Sequence, residues 1–265
     1  VPPERDKDFV SWLMSFGPER PGFRRRRNSE YPGVLRTGEV RTVFQPIVQL
    51  ERGTIFAYEA LVRSDSPLYR DPIALFAEAI EANACGILGR RIREVAVEGC
   101  PDAPLFLNVH PREFDESWLV QPDDPIFTHN HPIYLEITES VPLSHFAYCH
   151  SVLREVRSKG VMLAIDDFGA GYSNLKYIAD LNPEIVKLDR DLVANLGRSH
   201  RLRQLVRNIT KLCVDMGASV VAEGVEHADE AEAALDCGAH YGQGWYFARP
   251  ANPPPAVSMA VPRKL

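Results

Sequence analysis

From residue 41 onward, short β-branched or aromatic runs alternate with longer stretches whose apolar residues recur at helical spacing. The strand-like runs cover 41–50, 54–63, 104–110, 133–139, 161–168, 184–189, 219–226 and 241–247, eight in all. Helical spacing covers 71–84, 89–100, 144–160, 201–217 and 229–238, several of them stopped by glycine, which readily adopts the left-handed turn that ends a helix. Strands and helices in this alternation predict an α/β barrel. The first pair departs from the scheme. Only Glu51, Arg52 and Gly53 separate its two runs, too few for a crossover helix, so an antiparallel hairpin is expected there.

Polar residues interrupt the apolar runs at one repeated place. Glu59 stands late in the second run, Asn108 late in the third, Glu136 in the fourth, Asp166 and Asp167 at the end of the fifth, Lys187 in the sixth, Glu223 in the seventh and Gln243 in the eighth. In a barrel the carboxyl ends of the strands converge on one rim, where enzymes of this architecture carry their chemistry. A single carboxylate in such a run reads equally well as a hydrogen-bonded structural group. The same placement in seven runs points to a shared site.

Charge sharpens this picture. Glu59, Glu136, Asp166, Asp167 and Glu223 bring five negative charges to the rim, and Lys187 returns one positive charge. Unpaired, such a cluster is protonated or pushes the strands apart. Two divalent cations would compensate it, and hard oxygen ligands suit magnesium or manganese better than zinc. Asp166 could then bridge two ions and Asp167 complete the second, an apparatus suited to in-line attack of water on a phosphoryl centre.

Composition narrows the partners. The 265 residues are 45% hydrophobic, enough for a substantial core, and the net charge of −6 argues against a duplex nucleic acid partner. Five scattered cysteines (Cys85, Cys100, Cys149, Cys213 and Cys237) never adopt CxxC spacing, which argues against a disulfide framework or zinc cluster and for a reducing cytoplasm. No apolar run approaches the roughly 18 residues of a membrane span, and the start lacks a signal-peptide pattern. Residues 1–35 mix a short amphipathic stretch (7–16) with proline, glycine and the arginine run 24–27; this reads as a linker, and the start at Val1 suggests a piece of a longer protein.

Eight ordered motifs resemble the EAL domain, the phosphodiesterase that hydrolyses cyclic di-GMP: FQPIV (44–48), YEALVR (58–63), LNVHP (107–111), LEITES (135–140), IDDFGAGYSNL (165–175), VKLDR (186–190), AEGVE (222–226) and GQGWYFARP (242–250). The resemblance implies a modified TIM (β/α)8 barrel with an antiparallel first strand, two Mg²⁺ or Mn²⁺ ions per site, and conversion of cyclic di-GMP to linear pGpG. It implies Glu59, Asn108, Glu136 and Asp166 as ligands of one metal, and Asp166, Asp167 and Glu223 as ligands of the other. Lys187 resembles the lysine that positions the attacking water, and Glu223 the residue also considered as a general base. Gln45, Leu61, Arg63, Asp189 and Gln243 resemble substrate-contacting positions, and Glu139 the glutamate that holds the loop 167–175. In the family that loop couples metal binding to dimerisation, so a homodimer is expected, with a sensory domain upstream. Ala170 and Asn174 replace the threonine and serine common there, and neither change removes a metal ligand. The expected organisation is a linker and helical extension over 1–37, the barrel over 38–252 and a tail over 253–265. A catalytically silent cyclic di-GMP receptor on the same barrel is the alternative; filled metal and lysine positions favour the enzyme.

Three shorter matches carry little. DFG (167–169) precedes LDRDL (188–192), the reverse of the protein-kinase order, and no glycine-rich ATP loop comes before them. HNH (129–131) lies in a proline-flanked loop, and the NIT pattern at Asn208 falls inside a helical run.

Overall fold

The computed structural model describes residues 40–66, 72–115, 117–138, 143–170 and 175–257. The expectations for residues 1–37, Glu139, residues 171–174 and the end of the tail (258–265) lie outside the described residues. Eight strands, β1 (Val40–Gln49), β2 (Thr54–Ser64), β3 (Leu105–Asn108), β4 (Ile133–Thr138), β5 (Met162–Phe168), β6 (Ile185–Leu188), β7 (Ser219–Ala222) and β8 (Tyr241–Gln243), close in chain order into a barrel. β1 runs antiparallel to both neighbours, β2 and β8, while every other adjacent pair is parallel. The expected hairpin is there: Gly53, with φ of 67°, donates to the Gln49 carbonyl at 2.8 Å and reverses the chain.

Helices α1 (Pro72–Glu81), α2 (Cys85–Gly99), α3 (Leu143–Ser158), α6 (His200–Asp215) and α7 (Ala228–Asp236) fall on the five stretches of helical periodicity. Two shorter ones, α4 (Lys176–Leu181) and α5 (Arg190–Val193), were not expected, because helices of fewer than two turns carry too few residues to display a period. The last two strand-like runs end early, at Ala222 and Gln243 instead of 226 and 247. Gly224 (φ 63°) and Gly244 (φ 156°) follow those ends, and Val225 ties the segment after β7 to the end of β8 and the segment beyond it: Val225 N donates to Gln243 O and Tyr246 N to Val225 O, each 3.0 Å. Glu223 therefore stands one residue beyond β7, its N–H held by the Leu188 carbonyl at 3.0 Å. Cys85, Cys100, Cys213 and Cys237 are buried and free, with no disulfide among the described residues.

Alternate strand residues divide between two cores. One set, including Leu105, Leu107, Leu135, Ile137, Val186 and Leu188, packs outward against helix residues such as Val156, Val206 and Ala231. The other set, Ile47, Ala57, Phe106, Tyr134, Ala164, Ile185 and Val221, supplies one residue from each of β1 to β7 and plugs the barrel. A bulge tightens this plug. Ile47 pairs with Ala57 but Val48 pairs with Ile55, which leaves Phe56 as an extra residue on β2. Its ring stacks on Tyr241 at 4.1 Å, beside the Phe106–Tyr134 stack at 4.3 Å. Phe106, fully buried in this plug, is expected to be a stability residue: Phe106→Ala should cost about 3–5 kcal/mol in urea unfolding.

Candidate functional site

The site is the next layer up. Two residues beyond the plug, Ala57 leads to Glu59, Phe106 to Asn108, Tyr134 to Glu136, Ala164 to Asp166, Ile185 to Lys187, Val221 to Glu223 and Tyr241 to Gln243. On the reversed β1 the same step runs backwards, from Ile47 to Gln45, which pairs with Glu59. Period-two alternation therefore carries every polar side chain of this layer into the mouth above an apolar floor.

Asp166 and Asp167 are adjacent, so alternation alone would send them to opposite faces. A second bulge prevents this. Ile165 pairs with Val186 and Phe168 with Leu188, so three steps on β5 match two on β6, and Asp167 takes φ of 54°. Aspartate tolerates this left-handed conformation better than most L residues. As a result Asp166, Asp167 and Glu223 each offer a carboxylate oxygen within 4.8 Å of the others.

Lys187, 1% exposed, occupies the centre of the acidic ring. Its Nζ lies 2.5 Å from Glu136 Oε1, 2.7 Å from Glu223 Oε1, 2.9 Å from Asp166 Oδ1 and 3.4 Å from Glu59 Oε2. Burial disfavours the ammonium, but Asp166, Glu136, Glu223 and Glu59 together hold its pKa well above the usual lysine value. One ammonium does not satisfy five carboxylates. Burial, reinforced by Glu59, raises the Glu136 pKa well above the ordinary carboxylate range; burial also raises Glu223, against the pull of Lys187. Asp167 is pushed up to about 8 by burial and by Asp166. Glu59 moves the other way: burial is outweighed by Lys187 and by hydrogen bonds from Gln243 and Asn108, and its pKa falls.

A hydrogen-bonded chain links the remaining layer. Asn108 Nδ2 donates to Glu59 Oε1 at 3.0 Å, and Gln243 Nε2 donates to Glu59 Oε2 at 2.5 Å and to Gln45 Oε1 at 3.2 Å. Gln45 Nε2 donates in turn to the Ala248 carbonyl at 3.2 Å. Leu61 and Arg63 follow Glu59 on the same face of β2 and are half-buried, with Arg63 donating to the Val62 carbonyl at 2.7 Å. Asp189 has a job that the motif alone does not show: its Oδ1 caps α5 by accepting from Asp191 N at 2.8 Å. The sequence reading also passed over Trp245 and Arg249. Trp245 is exposed two residues past Gln243, and the Arg249 guanidinium lies over its ring at 4.0 Å. An aromatic residue inside the GQGWYFARP motif was the available signal.

These residues fit divalent cations. The donors are hard oxygens, three of them already convergent at Asp166, Asp167 and Glu223. Glu136 Oε2 and Gln243 Oε1 are buried with no hydrogen-bond partner among the described residues, and the raised carboxyl pKa values mark a shortage of positive charge.

The EAL domain model matches residues 28–250. Two Pseudomonas aeruginosa proteins, cyclic di-GMP phosphodiesterase RocR and cyclic di-GMP phosphodiesterase PA2567, are each 31% identical, over 82% and 80% of this chain. The chain spans 58% and 38% of their lengths. Among solved structures, Klebsiella pneumoniae BlrP1 in its pH 6 manganese/cyclic di-GMP complex superposes with a TM-score of 0.71 at 28% identity, covering 84% of this chain and 59% of that one. A calcium/cyclic di-GMP complex of the same protein superposes at 0.70. Since the match takes in all eight strands and the whole layer of polar residues above the plug, the chain belongs to the EAL domain family.

Proposed function

We propose that the chain hydrolyses cyclic di-GMP to linear pGpG with the help of two Mg²⁺ or Mn²⁺ ions. The observation that carries this reading is the convergence of Asp166, Asp167 and Glu223 produced by the β5 bulge. The phosphodiesterase relatives and the manganese complex of BlrP1 support it. Glu59, Asn108, Glu136 and Asp166 would hold one ion, and Asp166, Asp167 and Glu223 the other. When bound, such a pair supplies positive charge to a phosphodiester and makes water a stronger nucleophile at neutral pH.

The chain's own groups do the rest. Lys187 presents a compact ammonium that orients the water and steadies negative charge as it develops. Glu223, with a raised pKa, can accept the water's proton as well as act as a ligand. Arg63 offers a planar fork to a phosphate, while Gln45, Leu61, Asp189 and Gln243 line the approach to the reacting bond. The apolar plug beneath closes the floor of the mouth. A homodimer formed through the segment after β5, an upstream sensory domain and a cytoplasmic location complete the proposal. No helix among the described residues is long and apolar enough to cross a membrane.

The test is incubation of this chain with cyclic di-GMP and Mg²⁺ or Mn²⁺, followed by chromatography of the products. Linear pGpG is expected, and chelation should stop its appearance. Tight binding without turnover would instead identify a receptor. Excess Ca²⁺ should inhibit, because its longer bonds and looser coordination suit the pair of sites poorly. Metal uptake should also be proton-linked. Asp167, pushed up to about 8, and Glu136 and Glu223, raised as well, must lose their protons to become ligands, so Mn²⁺ affinity should rise steadily as pH increases from the ordinary carboxylate range through neutrality. Titration calorimetry at several pH values would check this.

A further inference from the structure

Outside the barrel wall lies a second group of buried charges that the chemistry above does not use. Arg93 of α2 is 1% exposed, and Glu113 and Asp124 are completely buried. Arg93 donates to Glu113 Oε2 at 2.5 Å, and through two nitrogens to Asp124 Oδ1 at 3.1 Å and Oδ2 at 2.8 Å. Taking three charges out of water is expensive, and apolar residues of similar volume often serve stability as well or better. The local structure is nonetheless shaped around this group. A Cβ on Gly89 would lie 1.8 Å from Glu113 Oε2, so α2 lacks a side chain at the point where the carboxylate approaches.

The other oxygen of Glu113 points to the site. Oε1 accepts from the backbone N–H of His110 at 2.9 Å, and His110 is two residues beyond Asn108. On the intervening residue, Val109 N donates to the Glu136 carbonyl at 3.1 Å. The strand end that carries Asn108 is thus held from β4 on one side and from Glu113 on the other. Asp124, the far member of the group, also accepts from Ile126 N at 3.2 Å, which fixes it to the short 3-10 helix Pro125–Phe127.

We infer that the Arg93–Glu113–Asp124 group is a positioning device: by clamping the His110 N–H it fixes the end of β3 and orients Asn108 toward Glu59 and the cation it would help to hold. Glu113 is a positioning residue, since its two oxygens are taken up by Arg93 and by the His110 N–H and it acts on the mouth only through the end of β3. The inference rests on the metal reading of the mouth proposed above.

A double-mutant cycle tests it, with Mn²⁺ affinity measured by electron paramagnetic resonance of the free ion and no nucleotide present. Glu113→Gln should weaken Mn²⁺ binding about 10-fold, the scale typical of groups that orient metal ligands. Asn108→Ala should weaken it by at least as much. If Glu113 acts through Asn108, the double variant should match Asn108→Ala within about 2-fold, because the clamp has nothing left to orient. A merely structural role would lower the melting temperature in both backgrounds and leave the two affinity losses multiplying. Multiplying losses, or a Glu113→Gln chain with unchanged affinity, overturn the inference. If Glu113→Gln does not fold, Glu113→Asp, which keeps a negative charge beside Arg93 but draws the carboxylate back from the His110 N–H, takes its place in the cycle with the same expectations. A wild-type chain that binds no Mn²⁺ overturns the metal reading itself, an outcome distinct from failure of the cycle.

Discussion

Asp166→Asn is expected to reduce kcat for cyclic di-GMP by about 10³-fold or more, equivalent to about 4 kcal/mol of barrier, without lowering the metal-free melting temperature. Asp166 is the one side chain assigned to both proposed ions, so its loss weakens both at once. Asparagine keeps the shape of the side chain and removes one of five negative charges crowded around Lys187. Asp166 raises the pKa values of Glu136, Asp167 and Glu223, so its neutralisation relieves repulsion among them. Asp167→Asn provides the companion measurement. Asparagine also accepts the φ of 54° at this position, so the bulge should survive and only the second ion should suffer, with a smaller loss of about 10²-fold. Initial rates followed by chromatography, with thermal melts on the same samples, separate the two effects. An Asp166→Asn chain retaining a tenth of wild-type turnover would remove Asp166 from the proposed chemistry.

The plug and the site were legible in the sequence for one reason. Apolar residues at 57, 106, 134, 164, 185, 221 and 241 are each followed two positions later by a polar one, and period two is what a strand imposes. The short β1–β2 connection was legible too, because three residues cannot form a crossover. Where the backbone leaves its regular path, the pattern misleads. Phe56 alternates as an outward residue and is turned inward by a bulge. Asp166 and Asp167 were expected to share a pair of cations, yet strict alternation sends neighbours to opposite faces; the β5 bulge and the left-handed Asp167, which no local spacing reports, bring them together. Runs 219–226 and 241–247 are apolar enough for strands, yet their second halves are loops tied to each other across Val225. Asp189 matched a motif but also caps a helix too short to leave a periodic trace. The Arg93–Glu113–Asp124 group joins α2, the 3-10 helix Pro111–Asp115 and the residue that caps the 3-10 helix Pro125–Phe127, and no local spacing reports that kind of proximity.

The sequence also counted Lys187 as one positive charge among five negative ones without showing where it stands. In the structure it contacts four of the five, which makes Lys187→Met a substitution with a large, pH-dependent expected effect on stability. Removing one partner from a buried ionic network costs roughly 3–5 kcal/mol when the remaining charges are left uncompensated. Here the loss depends on pH, and its sign is set by the carboxyl groups. Glu136, Glu223 and Asp167 already have folded-state pKa values above those of the unfolded chain, and without the ammonium they rise further. Groups shifted in that direction bind more protons when folded, so stability is retained at low pH, where they are neutral, and is lost as pH rises through the folded-state values. Melting temperatures of Lys187→Met should therefore approach wild type near pH 5 and fall well below it at pH 8, the variant-minus-wild-type gap widening between. Mn²⁺ should close much of the gap at pH 8, because cations replace the missing positive charge, and its stabilising shift should be larger for the variant than for wild type. Turnover should stay low even in saturating Mn²⁺, since restored charge does not restore the group that orients water. A gap independent of pH would mean that Lys187 acts by packing alone, and full turnover in Mn²⁺ would end its proposed role in the chemical step.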